Sequence, residues 1–248
     1  MSFNRIISLV PSLTELLIDL EIGQRLVGRT RFCIHPEDKV TDISIIGGTK
    51  NPNIKKIVDL KPDLIIANHE ENRKVDVEEL KKHTRILVTQ IDNIEEALTA
   101  IKQISGLVEK EEKGQQIIFE IESLLNLKTD YRKVPTAYFI WKDPWMVAAC
   151  GTYIGSVMKH YNLENIFSDQ QRYPQISLNE LQGQDPELIL LSSEPFPFKQ
   201  KHLEEIQMVC PDAEIQLING EWFSWYGSGM LKAFKRLNEW RSKLSNSI

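Results

Sequence analysis

Leu60-Lys61-Pro62-Asp63-Leu64-Ile65-Ile66 and, half a chain later, Gln184-Asp185-Pro186-Glu187-Leu188-Ile189-Leu190 are one phrase written twice in a chain of 248 residues. In both places a helix-forming stretch (52–59 and 176–183) meets a proline, an acid follows, and an apolar run begins. Proline ends a helix because it has no N–H and disfavours helical geometry in the residue before it. The apolar runs are continuous rather than alternating, as in a parallel strand covered by helices on both faces. An echo at half the chain length predicts two similar α/β halves.

Working outward, further strands are expected at 5–10, 25–28, 85–90, 136–141 and 214–218, with helices between them. Ser12-Leu13-Thr14-Glu15 and Ser177-Leu178-Asn179-Glu180 both fit a capping box, in which the serine and the acid cap each other's amides. Between the halves, residues 106–128 contain no proline and begin with Glu109-Lys110-Glu111-Glu112-Lys113. Ile117, Ile118, Ile121, Leu124 and Leu125 then form a helical stripe. Glu109 and Lys113 suit an i,i+4 pair, and a helix of this length would reach about 33 Å. It reads as a stiff strut, with Gly114 as a local weakness. The expected organisation is an N-terminal α/β lobe at 1–105, a connecting helix at 106–130 and a C-terminal α/β lobe at 131–248.

The composition is that of an ordinary globular protein, 42% hydrophobic and 26% charged, with a formal charge of −5. That balance argues against nucleic acid as a partner, since such proteins carry a basic footprint. No apolar run approaches the roughly 18 residues of a membrane span. Cys33, Cys150 and Cys210 are widely spaced and form no CxxC pair, so no disulfide framework or structural zinc site is indicated. The apolar run Ile6-Ile7-Ser8-Leu9-Val10 is too short for the core of a secretion signal and reads as a first strand. As it stands the sequence is expected in the cytoplasm. There is no GxSxG elbow, GxxxxGK[ST] loop, HExxH pair or GxGxxG after a strand, so built-in catalysis is not expected.

Ile6-Ile7-Ser8-Leu9-Val10-Pro11-Ser12-Leu13-Thr14-Glu15-Leu16-Leu17 resembles the first strand and helix of the cobalamin-type periplasmic binding proteins. These are class III (helical-backbone) substrate-binding proteins of ABC importers. Gly47-Gly48-Thr49-Lys50-Asn51-Pro52-Asn53, Leu60-Lys61-Pro62-Asp63-Leu64-Ile65, Glu164-Asn165-Ile166-Phe167, Tyr173-Pro174-Gln175-Ile176-Ser177 and Trp222-Phe223 are similar to later segments of the family, in the same order. The resemblance implies two Rossmann-like lobes with mainly parallel sheets, joined by a long backbone helix. It implies a metal chelate (cobalamin, haem or a ferric siderophore) held in an inter-lobe cleft, with no intrinsic cofactor, and an ABC permease as partner. It also implies a periplasmic location if a leader precedes the sequence. The family's permease-docking glutamate has no clear counterpart in the first lobe, where Lys74 stands among Glu70, Glu71, Glu78 and Glu79.

In two-lobed α/β proteins ligands gather at the carboxyl ends of parallel strands. Here those loops are 11–14, 47–51, 68–73, 141–145 and 220–229. The ligand-binding candidates are Ser12, Arg31, Thr49, Lys50, Glu71, Asn72, Trp145, Trp222, Trp225 and Tyr226. Gly47 and Gly48 allow close backbone approach, or simply a tight turn. All five tryptophans lie in the second half. Trp141 with Trp145, and Trp222 with Trp225, form two loop clusters suited to gripping a flat macrocycle, or else lobe core. Arg31 offers a fork for carboxylates or phosphates. His35 is a candidate metal ligand; Cys33 is more simply a small buried hydrophobe. Two further readings stay open: a cytoplasmic ligand sensor or carrier, and an enzyme acting on a metallocofactor through His35 or His69.

Overall fold

The computed structural model describes residues 2–127 and 131–244. Its first ten main elements run β1 (Ile6–Ser8), α1 (Pro11–Asp19), β2 (Leu26–Arg29), α2 (Glu37–Val40), α3 (Ile54–Asp59), β3 (Leu64–Asn68), α4 (Lys74–Lys81), β4 (Arg85–Thr89), α5 (Ile94–Leu107) and α6 (Glu111–Leu125). Then follow β5 (Val134–Trp141), β6 (Met146–Val147), α7 (Tyr153–His160), β7 (Leu163–Asn165), α8 (Leu178–Gly183), β8 (Leu188–Ser192), α9 (Gln200–Gln207), β9 (Glu214–Ile218), α10 (Glu221–Ser224) and α11 (Gly229–Leu244). The chain forms two compact units. The first comprises the chain through Ile91, Glu95–Ser123 and Tyr226–Leu231; the second comprises Asp92–Ile94, Leu124–Trp225 and the chain from Lys232.

The first unit holds a four-stranded sheet of order β2-β1-β3-β4, parallel throughout. The second has the order β6-β5-β8-β9, with β7 also on β5. Only β6 runs antiparallel. Thr136 pairs with both Asn165 and Leu188, so β7 and β8 flank β5 on opposite edges. The repeated strands are the fully buried ones: every residue of β3 and of β8 is inside. Ile7, Ile57, Ile65 and Leu80 build one core, and Phe139, Leu181, Ile189 and Ile206 build the other.

The repeat extends to the turn itself. Lys61 and Asp185, each just before its proline, take the left-handed conformation at φ 48° and 49°. Asp63 then receives the backbone N–H of Asn4 and of Arg5 at 2.8 and 3.0 Å. In the second copy Glu187 pairs with Arg132, Nη2 to Oε2, at 2.6 Å. In each unit, therefore, the acid of the phrase pins the chain entering the unit's first strand. One pairs with backbone amides and the other with a side chain.

Four local expectations are corrected. Helix α1 begins at Pro11 with Val10 as an uncapped N-cap, which puts Ser12 inside the helix. The pre-set φ of proline suits the first helical position and moves the start two residues earlier than a Ser12 cap requires. The second box is present: Glu180 N–H donates to Ser177 Oγ at 3.2 Å, and Ser177 N–H to Glu180 Oε2 at 2.6 Å. The expected helix at 106–128 is shorter, because α5 ends at Leu107 and α6 starts only at Glu111. Its 15 residues span about 22 Å. Glu109 sits at φ 61° and Lys110 N–H reaches back to Ser105 O at 2.8 Å, a Schellman-type stop. With Glu109 outside the helix, Lys113 pairs with Glu21 at 3.2 Å. Gly114 is no weakness: a Cβ there would stand 2.1 Å from Ser105 Oγ, so α5 and α6 pack only around a glycine. The short strands β6 and β7 were not foreseen, since two or three residues carry no periodicity.

Candidate functional site

All strands of the first sheet point the same way, so the loops leaving β1, β2, β3 and β4 share its carboxyl edge. Asn72, buried there, ties that edge together. Its Oδ1 accepts from Asn68 N–H at 2.9 Å, while its Nδ2 donates to Leu9 O at 3.3 Å and Thr49 O at 3.1 Å. Lys50, exposed at the loop tip, donates to Glu70 O at 2.6 Å. Arg31 N–H donates to Gly47 O at 2.8 Å, which leaves its guanidinium at the surface. In the loop between Gly47 and Asn51 the turn requires a glycine at 47 and packs Gly48 closely against a side chain. Gly47 lies at φ 111°, and a Cβ on Gly48 would come within 2.3 Å of Asn51 Oδ1.

Tyr226, far along the chain, also belongs to this edge: its hydroxyl donates to Glu71 Oε1 at 2.8 Å. Burial, reinforced by the Glu71 carboxylate, pushes the phenol well above the ordinary tyrosine range, so it remains a neutral donor. Ser12 Oγ and Ser228 Oγ are buried without a hydrogen-bond partner among the described residues. Ser12 stands at the second position of α1, and Gly227 packs so closely on Ser12 and Leu16 that a Cβ would lie 3.3 Å from Ser12 O.

Cys33 is fully buried, its sulfur 3.0 Å from Thr14 Oγ1 and 3.1 Å from Thr30 Oγ1. Burial pushes this thiol up, which suits an inert packing role. His35 is half-buried beyond it. Among the described residues no three His, Cys, Asp or Glu side chains are grouped to hold a metal ion. Phe32, not singled out from the sequence, is 54% exposed beside Gly48.

In the second unit the carboxyl ends of β5, β8 and β9 carry the aromatic residues. Trp141 ends β5 with 39% of its surface exposed and meets Phe196 edge-on, centroids 5.7 Å apart. Trp145 turns toward the core instead. It stacks on Phe198 at 6.0 Å, meets the edge of Phe139 at 5.5 Å and lies under Lys142 Nζ at 4.5 Å. Trp222 is half-buried on α10, which makes its surroundings a short helix rather than the expected loop. Trp225, just after α10, donates its indole Nε1–H to Glu194 Oε1 at 3.1 Å. Glu194 and Phe196 were also not singled out from the sequence. The signal was available: Ser193-Glu194-Pro195-Phe196-Pro197-Phe198 directly follows a buried strand, and two prolines mark a loop at a carboxyl end.

Residues 6–209 match the periplasmic binding protein family. A vitamin B12-binding protein of Vibrio campbellii is 29% identical over 195 residues, 76% of this chain and 70% of that protein. The periplasmic vitamin B12-binding protein BtuF of Vibrio cholerae aligns in three dimensions with a TM-score of 0.84 at 22% identity, covering 99% of both chains. A periplasmic haem-binding protein of Pseudomonas aeruginosa aligns at 0.82 with 15% identity, over 95% of this chain and 91% of that one. At these identities the structural likenesses establish the fold.

Proposed function

The chain belongs to the periplasmic binding protein family and is a substrate-binding protein, not an enzyme; from that premise we propose that its cargo is cobalamin or a closely related metal chelate. The observation that carries this reading is the aromatic group at the carboxyl edge of the second sheet: the exposed Trp141, the half-buried Phe196 that it meets edge-on, and the half-buried, hydrogen-bonded Trp225. Flat rings bury large areas against a macrocycle face. In the first unit, the Ser12 and Ser228 hydroxyls, without a hydrogen-bond partner among the described residues, and the exposed Phe32 ring suit a cargo that has both polar groups and apolar faces. The vitamin B12-binding relatives favour a corrin over a porphyrin or a siderophore.

Arg31, Thr49, Lys50, Glu71, Trp222, Trp225 and Tyr226 are proposed to contact the cargo directly, with Asn72 and Trp145 supporting them from behind. His35 is proposed as a weaker contact to the chelated metal. The protein would hand the cargo to an ABC importer, with no chemistry on the way. Titration with cyanocobalamin, hemin and a ferric siderophore, followed by tryptophan fluorescence, tests the ligand. Micromolar or tighter binding of cyanocobalamin is expected, and silence toward it removes the assignment. Loss of cobalamin uptake on gene deletion tests the transport role.

One observation favours a second reading, a cytoplasmic carrier of the same ligand: Cys150 is a free, exposed thiol. Fractionation of cells decides between them, because protein confined outside the cytoplasm eliminates the carrier.

A further inference from the structure

Two loops of the second unit are fastened to each other by hydroxyls and one carboxylate. Ser193 Oγ, in the loop after β8, accepts the N–H of Gly220, in the loop after β9, at 3.0 Å. Tyr138 OH donates to Ser192 Oγ at 3.3 Å, and Ser192 Oγ in turn donates to Glu194 O at 2.5 Å. Glu194 Oε1 then accepts from both Ser224 Oγ at 2.7 Å and Trp225 Nε1 at 3.1 Å. The fit leaves no slack: a Cβ on Gly220 would stand 2.3 Å from Ser192 Oγ and 2.6 Å from Glu194 Cγ.

An indole N–H is a donor only, and a carboxylate is the strongest partner available to it. Trp225 has two side-chain torsions, and a hydrogen bond at Nε1 anchors the far end of the ring, where backbone packing reaches least. We infer that Glu194 is a positioning residue for ligand binding, holding the Trp225 indole in one orientation through its Oε1 acceptor. This rests on the reading that Trp225 faces the cargo. The carboxylate spares the ligand the ordering of a loose ring, so its removal lowers affinity without removing any ligand contact.

The test uses Glu194→Ala, Glu194→Gln and Trp225→Phe in the full chain, alone and combined. Near-ultraviolet circular dichroism of the ligand-free protein is expected to change in Glu194→Ala, to recover largely in Glu194→Gln, and to be insensitive to Glu194→Ala in the Trp225→Phe background. Cyanocobalamin affinity should fall about tenfold in Glu194→Ala, recover to within about threefold of the parent in Glu194→Gln, and show no further loss when Glu194→Ala is added to Trp225→Phe. An equal loss in the Trp225→Phe background, or no recovery with glutamine, overturns the positioning role. If cyanocobalamin does not bind the parent protein, or Trp225→Phe and Trp225→Ala bind as well as the parent, the ligand reading fails instead. The dichroism of the free protein then judges the Glu194–Trp225 link by itself.

Discussion

Tyr226 and Glu71 are joined by a 2.8 Å hydrogen bond across 155 residues of sequence, and the tyrosine is buried while it makes it. Tyr226→Phe removes this donor from a half-buried carboxylate. Stability should drop by about 1–2 kcal/mol, seen as a melting point lower by roughly 2–8 °C.

The same pair has an alkaline signature. Burial pushes the phenols of Tyr138, Tyr153, Tyr161 and Tyr226 above the ordinary tyrosine range. Their unfolded forms ionise near pH 10. A raised folded value means that the stabilisation is complete below about pH 10 and declines as the pH climbs beyond it. Phenolate absorbance should therefore show these four tyrosines ionising together with unfolding, and Tyr226→Phe should flatten the slope of stability against pH above 10. Independent titration of all tyrosines in the folded protein would refute this.

An acid signature is expected at α9. His202 Nδ1 accepts the N–H of Lys199 at 3.0 Å, standing where a glutamate stands in a capping box. Its ring lies against Phe196 and Phe198. Burial, then the charges of Lys201, Lys142 and Lys199, hold the imidazole below its ordinary value, opposed by Glu205, which is itself paired with Lys142. A depressed folded value makes the contribution complete above about pH 6.5 and lost progressively as the pH falls below it. Melting points measured between pH 7.5 and 5 should fall with acid in the parent and fall less in His202→Glu.

The two acids of the repeated phrase should differ in weight. Asp63 holds two backbone amides, whereas Glu187 makes an exposed ion pair with Arg132. Asp63→Ala should cost about 1–3 kcal/mol and Glu187→Ala no more than about 1 kcal/mol. Denaturant unfolding measures both, and equal losses would contradict the assignment.

Gly114→Ala should destabilise by about 1–3 kcal/mol through overpacking on Ser105. Adding Ser105→Gly removes both atoms that would clash and should restore part of that loss, a coupling a double-mutant cycle reads directly.

How far the sequence reached depends on how its signals arise. Strands β3 and β8 were legible because four consecutive apolar residues after Pro-acid allow little else, and β9 was placed at its full extent. The break at Glu109 was not legible: a left-handed glutamate carries none of the glycine signal that usually marks a helix stop. At the carboxyl edges the residue types were visible but their neighbours were not. Asn72 looked like a contact residue, yet its amide is spent on Leu9, Thr49 and Asn68. Trp145 and Trp225 looked alike in the sequence and diverge in space, one stacked on Phe198 and the other bonded to Glu194. Such partnerships span tens of residues, and no local pattern records them.

Residues Tyr226–Leu231 count with the first unit although the chain on either side of them counts with the second. The protein therefore cannot be bisected at the genetic level. A polypeptide stopped at Ser123 would lack the phenol that partners Glu71 and the glycine that closes over Leu16, and would show bare apolar surface in their place. Ribosomal synthesis faces the same constraint, since the segment that finishes the earlier-made half emerges only after strands β5 to β9.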